Sequence, residues 1–362
     1  MYDRFCFAIF SKTAGKVMVK KLLIVGIAIL SSCSASANGQ VAEFTIRVAL
    51  GHAPRSSWVK AMYKFEEQVE KQSQGRVQVN VYHTGQLGNT EQILEMVYLG
   101  AIEVAVPGSA QLEAYVPEIG VVVLPYIWRS DENLYAAFDG EFGQILEQRF
   151  GKMNFHTISW LKNGFRCITN DRQPINTIDD VDGLKIRVLP SPVVMMYFKA
   201  LGAAPVHIDW VELYEALKMG VIDAQENPPF FVGLGRFYEV QRYYSMTRHM
   251  NEPGVAVMNR RFYDQLPKDL KQIVDKAGRD AAIWQRAEMD KDNAQMLEQI
   301  KASKKCEINE LTEDAIADFR KVAYEQVYPK VIEKQLCGPD TKELIDMVLR
   351  QQGIKDLNIV LR

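Results

Sequence analysis

From Phe44 onward the chain alternates between a two-residue and a 3.6-residue hydrophobic period, and it does so twice. Residues 44–50 alternate as a strand does, and Trp58, Met62, Phe65 and Val69 then recur at helical spacing behind a cap at Ser56 or Ser57. Residues 76–82 predict a second strand, 90–99 a helix closed by Gly100, and 102–106 a third strand. The pattern restarts in the middle of the chain. Residues 183–188 read as a strand, 192–201 as a helix with Pro192 in its first turn, and 206–208 as a short strand. Asp209 then opens a helix ending near Gly220, with Glu212 spaced for a reciprocal capping box. Strand and helix taking turns in this way predict an α/β fold of two similar units, each with a mostly parallel, helix-covered sheet.

Between Pro267 and Ser303 apolar residues from Leu270 to Ile300 keep helical spacing, a span far beyond the mean of about 11–12 residues. A helix this long has the reach to cross both units. The stripe is broken at Asp290-Lys291-Asp292, a solvated turn expected where the helix passes from one unit to the other.

The N-terminal segment reads as an address. Lys20 and Lys21 precede the apolar run 22–30, and Ala35-Ser36-Ala37 follows, which makes residues 1–37 a secretory signal peptide; the run is too short for a membrane span of about 20 residues. Met18 offers an alternative start, and Leu30-Ser31-Ser32-Cys33 also fits lipoprotein cleavage before Cys33, so the chain is expected in the periplasm, free or lipid-anchored. Lys plus Arg (43) nearly balances Asp plus Glu (45), which removes the driving force for nucleic-acid binding. Cys306 and Cys337 either bridge in that oxidising compartment or stay as small buried thiols.

Catalytic signatures are missing from the sequence. It holds no G-x-S-x-G elbow, phosphate loop or H-E-x-x-H, its five histidines are scattered, and Gly233-Leu234-Gly235 lacks the strand and third glycine of a dinucleotide site. No enzyme, cofactor or metal is expected. What remains are polar residues at element ends. Arg187, late in an apolar strand, either points outward or enters a crevice where its planar fork grips a carboxylate, and Arg166 has the same two readings. Asn227 lies where α/β proteins place ligand-binding loops.

Several separated motifs then resemble one family. Gly183-Leu184-Lys185-Ile186-Arg187-Val188, Ala200-Leu201-Gly202-Ala203-Ala204-Pro205, Glu212-Leu213-Tyr214-Glu215-Ala216-Leu217 and Val221-Ile222-Asp223-Ala224-Gln225-Glu226-Asn227-Pro228 look like the dicarboxylate-type periplasmic binding proteins of tripartite ATP-independent periplasmic (TRAP) transporters. Gly85-Gln86-Leu87-Gly88, Leu124-Pro125-Tyr126 and Phe237-Tyr238-Glu239-Val240-Gln241 are similar too. The resemblance implies two α/β domains, 44–163 with 253–292 and 164–252 with 293–362, joined by crossing strands and a shared long helix, with the ligand cleft between them. It implies a monomer that hands a small carboxylate to the membrane permease subunits.

By the same resemblance Arg187 grips the carboxylate, Arg166 adds a second cationic contact, and Asn227, Trp210 and His52 complete the site. Gly108 and Gln111 flank Ser109-Ala110 where sialic-acid binders carry an acidic residue and an Arg, which argues against sialic acid. Trp58, Trp128, Trp210, Phe230 and Phe231 are candidates for an apolar wall, each otherwise a core residue. His52, Gln111 and Asn227 supply hydrogen bonds that favour a sugar acid or similar hydroxylated monocarboxylate over an aromatic or 2-oxo acid. Presentation of the ligand to a signalling protein is the alternative to transport.

Overall fold

The computed structural model describes residues 41–354. The segments expected to form a signal peptide, an alternative start at Met18 and a lipoprotein cleavage before Cys33 lie outside the described residues. The first alternating run forms β1 (Phe44–Ala49), α1 (Ser57–Gln72), β2 (Val77–Tyr82), α2 (Thr90–Leu99) and β3 (Val104–Ala105). Ser56 caps α1 through its hydroxyl, and Trp58, Met62, Phe65 and Val69 all lie buried on one face. Asn89 and Gln92 close a reciprocal capping box on α2, and Gly100 ends that helix at a φ of 82°. Then come α3 (Asp131–Asp139), α4 (Glu141–Lys152) and β4 (Phe155–Leu161), the last strand before the chain crosses over.

The second lobe begins at β5 (Phe165–Asn170) and continues through β6 (Lys185–Arg187), α5 (Pro192–Ala200), β7 (Ala204–Val206), α6 (Trp210–Lys218), β8 (Ala224–Asn227), α7 (Pro229–Leu234) and β9 (Tyr243–Asn251). The chain then returns to the first sheet as β10 (Gly254–Asn259). It continues as α8 (Arg260–Gln265), α9 (Lys268–Ser303), β11 (Glu307–Glu310), α10 (Glu313–Val322), α11 (Tyr328–Glu333) and α12 (Thr341–Gln351).

The strands form two sheets, in the orders β2-β1-β3-β10-β4 and β11-β9-β5-β8-β6-β7. Both are mixed, which corrects the expectation of mostly parallel sheets. The β1–β2, β1–β3, β6–β7 and β6–β8 pairs are parallel, whereas β10 runs antiparallel to β3 and β4, and β5 antiparallel to β8 and β9. The cause is the double crossing: β4 leads into β5, and β9 into β10, through links too short for a helical crossover, so each crossing strand enters its new sheet reversed. The first link turns at Gly164, whose φ is +106° and where an added Cβ would lie 2.9 Å from Asn293 Nδ2. Only glycine meets both conditions without strain.

The long helix appears as expected, unbroken at Asp290-Lys291-Asp292. Its Ala277, Ala281 and Met289 pack with Trp58 and Phe65 of the first lobe, while Ile300 joins Leu213 and Val232 of the second. Gln285, fully buried, accepts from the Lys162 amide (2.6 Å) and donates to the Lys162 carbonyl (2.9 Å). Asn293 donates to the Asn163 carbonyl (3.1 Å) and accepts from Phe230 N (2.9 Å). The helix thus satisfies the backbone of the crossing link that it covers. At the end of the chain α12 packs against α3, α4 and the turn at Pro117–Val121.

Other local readings are corrected. Asp209 precedes α6, but its side chain caps nothing, so no capping box forms with Glu212; its Oδ1 lies 3.6 Å from His207 Nε2 instead. The short strand is 204–206 rather than 206–208, with Pro205 tolerated because β7 is an edge strand. Cys306 and Cys337 are both free and buried, in separate apolar clusters, so the bridge is absent. Trp128 and Phe230 are core residues, and the Trp128 indole donates to the Val122 carbonyl (2.7 Å).

Candidate functional site

A cavity of about 650 Å3 opens between the two sheets, lined on one side by the loops after β1, β2 and β3 and on the other by the ends of β5, β6 and β8 and the start of α6. Arg187, Arg166, Asn227, Trp210, His52 and Gln111 all line it. Trp58 and Phe231 do so as well, whereas Trp128 and Phe230 do not.

Arg187 ends β6, between β7 and β8. It is 4% exposed, so the outward reading fails, and its Nε donates to the Ile208 carbonyl (2.9 Å). Among the described residues no carboxylate lies within ion-pair distance of it. Burial, with Arg166 nearby, lowers its pKa to about 10, which leaves it cationic at neutral pH. A buried guanidinium without a counter-ion is costly, and an anion entering the cavity removes that cost.

Arg166 presents the opposite case. Its guanidinium is 2% exposed and is held by Glu226 through both carboxylate oxygens and by Glu252 Oε2 at 3.0 Å. The charge expected for ligand is therefore already countered twice by protein. Burial works to raise the Glu226 carboxyl, yet Arg166 and His249 outweigh it and hold it below the usual range. Glu252 has no such surplus, and burial pushes its carboxyl up to about 7.

The remaining polar atoms are underused. Among the described residues His52 Nδ1, Gln111 Oε1 and Asn163 Oδ1 are buried with no partner, and all three residues line the cavity. Burial lowers the His52 pKa to about 4, so its ring is neutral. Asn227 Nδ2 donates to Gln225 Oε1 (2.6 Å). His52, Trp58, Phe231 and Trp210 form a chain of ring contacts with centroids 4.6 to 6.0 Å apart, which makes one wall aromatic. At the rim, Glu91 approaches His207 and Asp209 across the cavity, with one donor atom of each within 4.8 Å of the others.

Sequence reasoning missed Glu252 and Asn163. Both sit in the links between crossing strands, where no hydrophobic period marks a position as facing a cleft. Gly108 matters beside them, because a Cβ there would lie 2.3 Å from Glu252 Oε1 and 2.8 Å from Gln111 Oε1. A side chain at 108 would fill the space in which Glu252 and Gln111 converge.

Buried carboxyls give the ligand-free protein a defined pH response. Glu113, pushed up by burial to about 8, and Glu252, to about 7, contribute stability that is fully present below their unfolded pKa near 4.5. That stability is lost as pH rises through the folded values. His156, raised because Asp275 and Glu147 outweigh burial, acts with the same sign. Denaturant melts should therefore show stability falling by about 2 kcal/mol between pH 6.5 and 8.5. A flat or rising profile contradicts these assignments.

Two α/β lobes joined by crossing strands and one long helix, with a cavity between them that carries the buried Arg187, define a binding protein with an interlobe cleft. Residues 49–335 match the model of the bacterial extracellular solute-binding protein family 7. The chain belongs to that family, the periplasmic solute-binding proteins of TRAP transporters, which bind rather than transform their solutes. It is 31% identical over 271 residues to the C4-dicarboxylate-binding periplasmic protein of Rhodobacter capsulatus, covering 75% of this chain and 81% of the relative. The crystal structure of a TRAP periplasmic solute-binding protein from Chromohalobacter salexigens with bound D-glucuronate superposes with a TM-score of 0.81 at 28% identity, covering 85% of this chain and 100% of that one. The sugar acid binding protein of Advenella mimigardefordensis in complex with galactonate gives 0.79 at 29% identity, covering 85% and 98%.

Proposed function

We propose that this protein captures a hydroxylated monocarboxylate of sugar-acid type in the periplasm and delivers it to a TRAP membrane permease. The carrying observation is Arg187, a buried cation without an ion pair in the cleft. Its fork takes the ligand carboxylate through two charge-assisted hydrogen bonds. Arg166, held by its two glutamates, serves as a fixed donor beside it rather than as the main counter-charge. His52, Gln111 and Asn163 carry buried atoms without partners, and ligand hydroxyls would satisfy them where a purely apolar acid would not. Asn227 adds a polar contact, and Trp210 with Trp58 and Phe231 supplies the face on which a sugar ring rests.

The lobes, each built on one sheet, close over the ligand about the strand links at 162–164 and 252–253 and about α9. The relatives bound to glucuronate and galactonate support a sugar acid, while the dicarboxylate-binding relative marks the competing class. A thermal-shift panel of D-glucuronate, D-galactonate, succinate, an aromatic acid and D-glucose separates them. A ligand at 100 times its Kd adds about 2.7 kcal/mol of stability. The sugar acids are expected to raise the melting temperature most and glucose not at all. A shift by glucose with none by any carboxylate overturns the proposal.

A further inference from the structure

We propose that Glu252 takes up a proton when a carboxylate binds on Arg187, so that the cleft captures its anion together with a proton drawn from the buffer. This inference rests on the anion site of the proposed function and adds to it a titrating partner.

Glu252 is 2% exposed, lies in the link between β9 and β10, and lines the cavity, whereas Glu226, on the same guanidinium, does not. Its Oε2 accepts from Arg166 Nη1 (3.0 Å) and lies 3.4 Å from Asn163 Nδ2; its Oε1 lies 3.4 Å from the Ala110 amide. From β8 it faces Glu226, from β6 Arg187, and beyond Ala110 it faces Glu113. Two guanidinia thus face two carboxylates, Glu252 lining the cavity and Glu226 behind Arg166, with Glu113 beyond Ala110. A ligand carboxylate on Arg187 makes three anions for two cations in a space from which closure expels water. One anion must then be neutralised. The ligand carboxylate is paired with Arg187 and Glu226 is held by Arg166 on both oxygens, which leaves Glu252. Its carboxyl already sits near 7 through burial, so a second nearby anion moves it across the working range.

Calorimetric titration of the wild-type protein with D-glucuronate, D-galactonate and succinate at pH 8, in two buffers of different ionisation enthalpy, counts the protons. The expected result is uptake of about half a proton or more per ligand bound, and an affinity about tenfold higher at pH 6.5 than at pH 8.5. In Glu252→Gln the side chain keeps its acceptor oxygen but cannot titrate. That variant should bind at pH 8.5 about as tightly as the wild type at pH 6.5, with no proton uptake. Binding without uptake in the wild type overturns the inference alone. Uptake that persists in Glu252→Gln overturns it too. If none of the three acids binds, the proposed function falls and this inference falls with it. If Glu252→Gln does not fold, the wild-type proton count and pH profile still decide.

Discussion

Replacing Arg187 with methionine is expected to lower affinity for D-glucuronate at least about 100-fold while raising the melting temperature of the ligand-free protein. The two signs have one origin. In the proposed complex the guanidinium makes two charge-assisted hydrogen bonds, each contributing about 1.5–3 kcal/mol, and about 2.7 kcal/mol already corresponds to two decades of Kd. Without ligand the same group is a desolvated cation at 4% exposure, with one backbone partner and, among the described residues, no carboxylate within ion-pair distance. Methionine fills similar volume without charge, so the free protein gains what the complex loses. Calorimetry and a thermal melt read the two effects separately. Affinity within about threefold of wild type would remove Arg187 from the site, and a fall in apo stability would show that its charge is countered in some other way.

Glu226→Gln is expected to be the more damaging change to the fold. Glu226 is fully buried, pairs with Arg166 along both oxygens, and lies 3.5 Å from His249 Nε2. Removing its charge leaves Arg166 to Glu252, which titrates within the working range, so a buried cation becomes partly uncompensated. Breaking a buried pair in this way costs about 3–5 kcal/mol, which for a chain of this size corresponds to a melting temperature lower by about 6 °C. Adding Arg166→Met to the same variant should cost less than the sum of the single changes, because the orphaned cation is then gone. Additive losses, or a single-variant cost below about 0.5 kcal/mol, would contradict the view that this cluster holds the second lobe together under the cleft.

How far the sequence reveals the molecule follows from the range of the forces involved. Helices set by local period and caps are legible: α1 buries the four apolar residues its spacing marks, α2 ends at Gly100, and α9 begins and ends within a residue of the expected bounds at Pro267 and Ser303. Sheet direction is not legible, because the antiparallel entry of β5 and β10 depends on short links whose meaning emerges only once both sheets exist. The edge strand β7 is displaced by two residues from its apolar pattern, since pairing with β6 outweighs propensity. Asp209 and Glu212 carry the letters of a capping box, but Asp209 turns instead toward His207, a choice made by the cleft rather than the helix.

The site divides in the same way. Arg187 and Arg166 stand out as charges in apolar strands, and family motifs point to Trp210, Asn227, His52 and Gln111, all of which the fold gathers around one cavity. That Arg166 is neutralised while Arg187 is not could not be read from sequence. The difference lies in Glu226 and Glu252, which reach Arg166 from β8 and from the β9–β10 link. Trp128 and Phe230 carry the same aromatic signal as Trp58 and Phe231 and yet do not reach the cavity, because ring type alone does not specify whether a ring ends in the core or at a cleft.

The central claim is that Arg187 is the counter-charge awaiting a ligand carboxylate. A crystal structure of the protein with whichever acid gives the largest thermal shift tests it most directly. The account predicts both carboxylate oxygens about 2.7–2.9 Å from the Arg187 guanidinium nitrogens, with ligand hydroxyls on His52, Gln111 or Asn163. A ligand whose carboxylate lies elsewhere in the cleft, with Arg187 still bonded only to the Ile208 carbonyl, would contradict it.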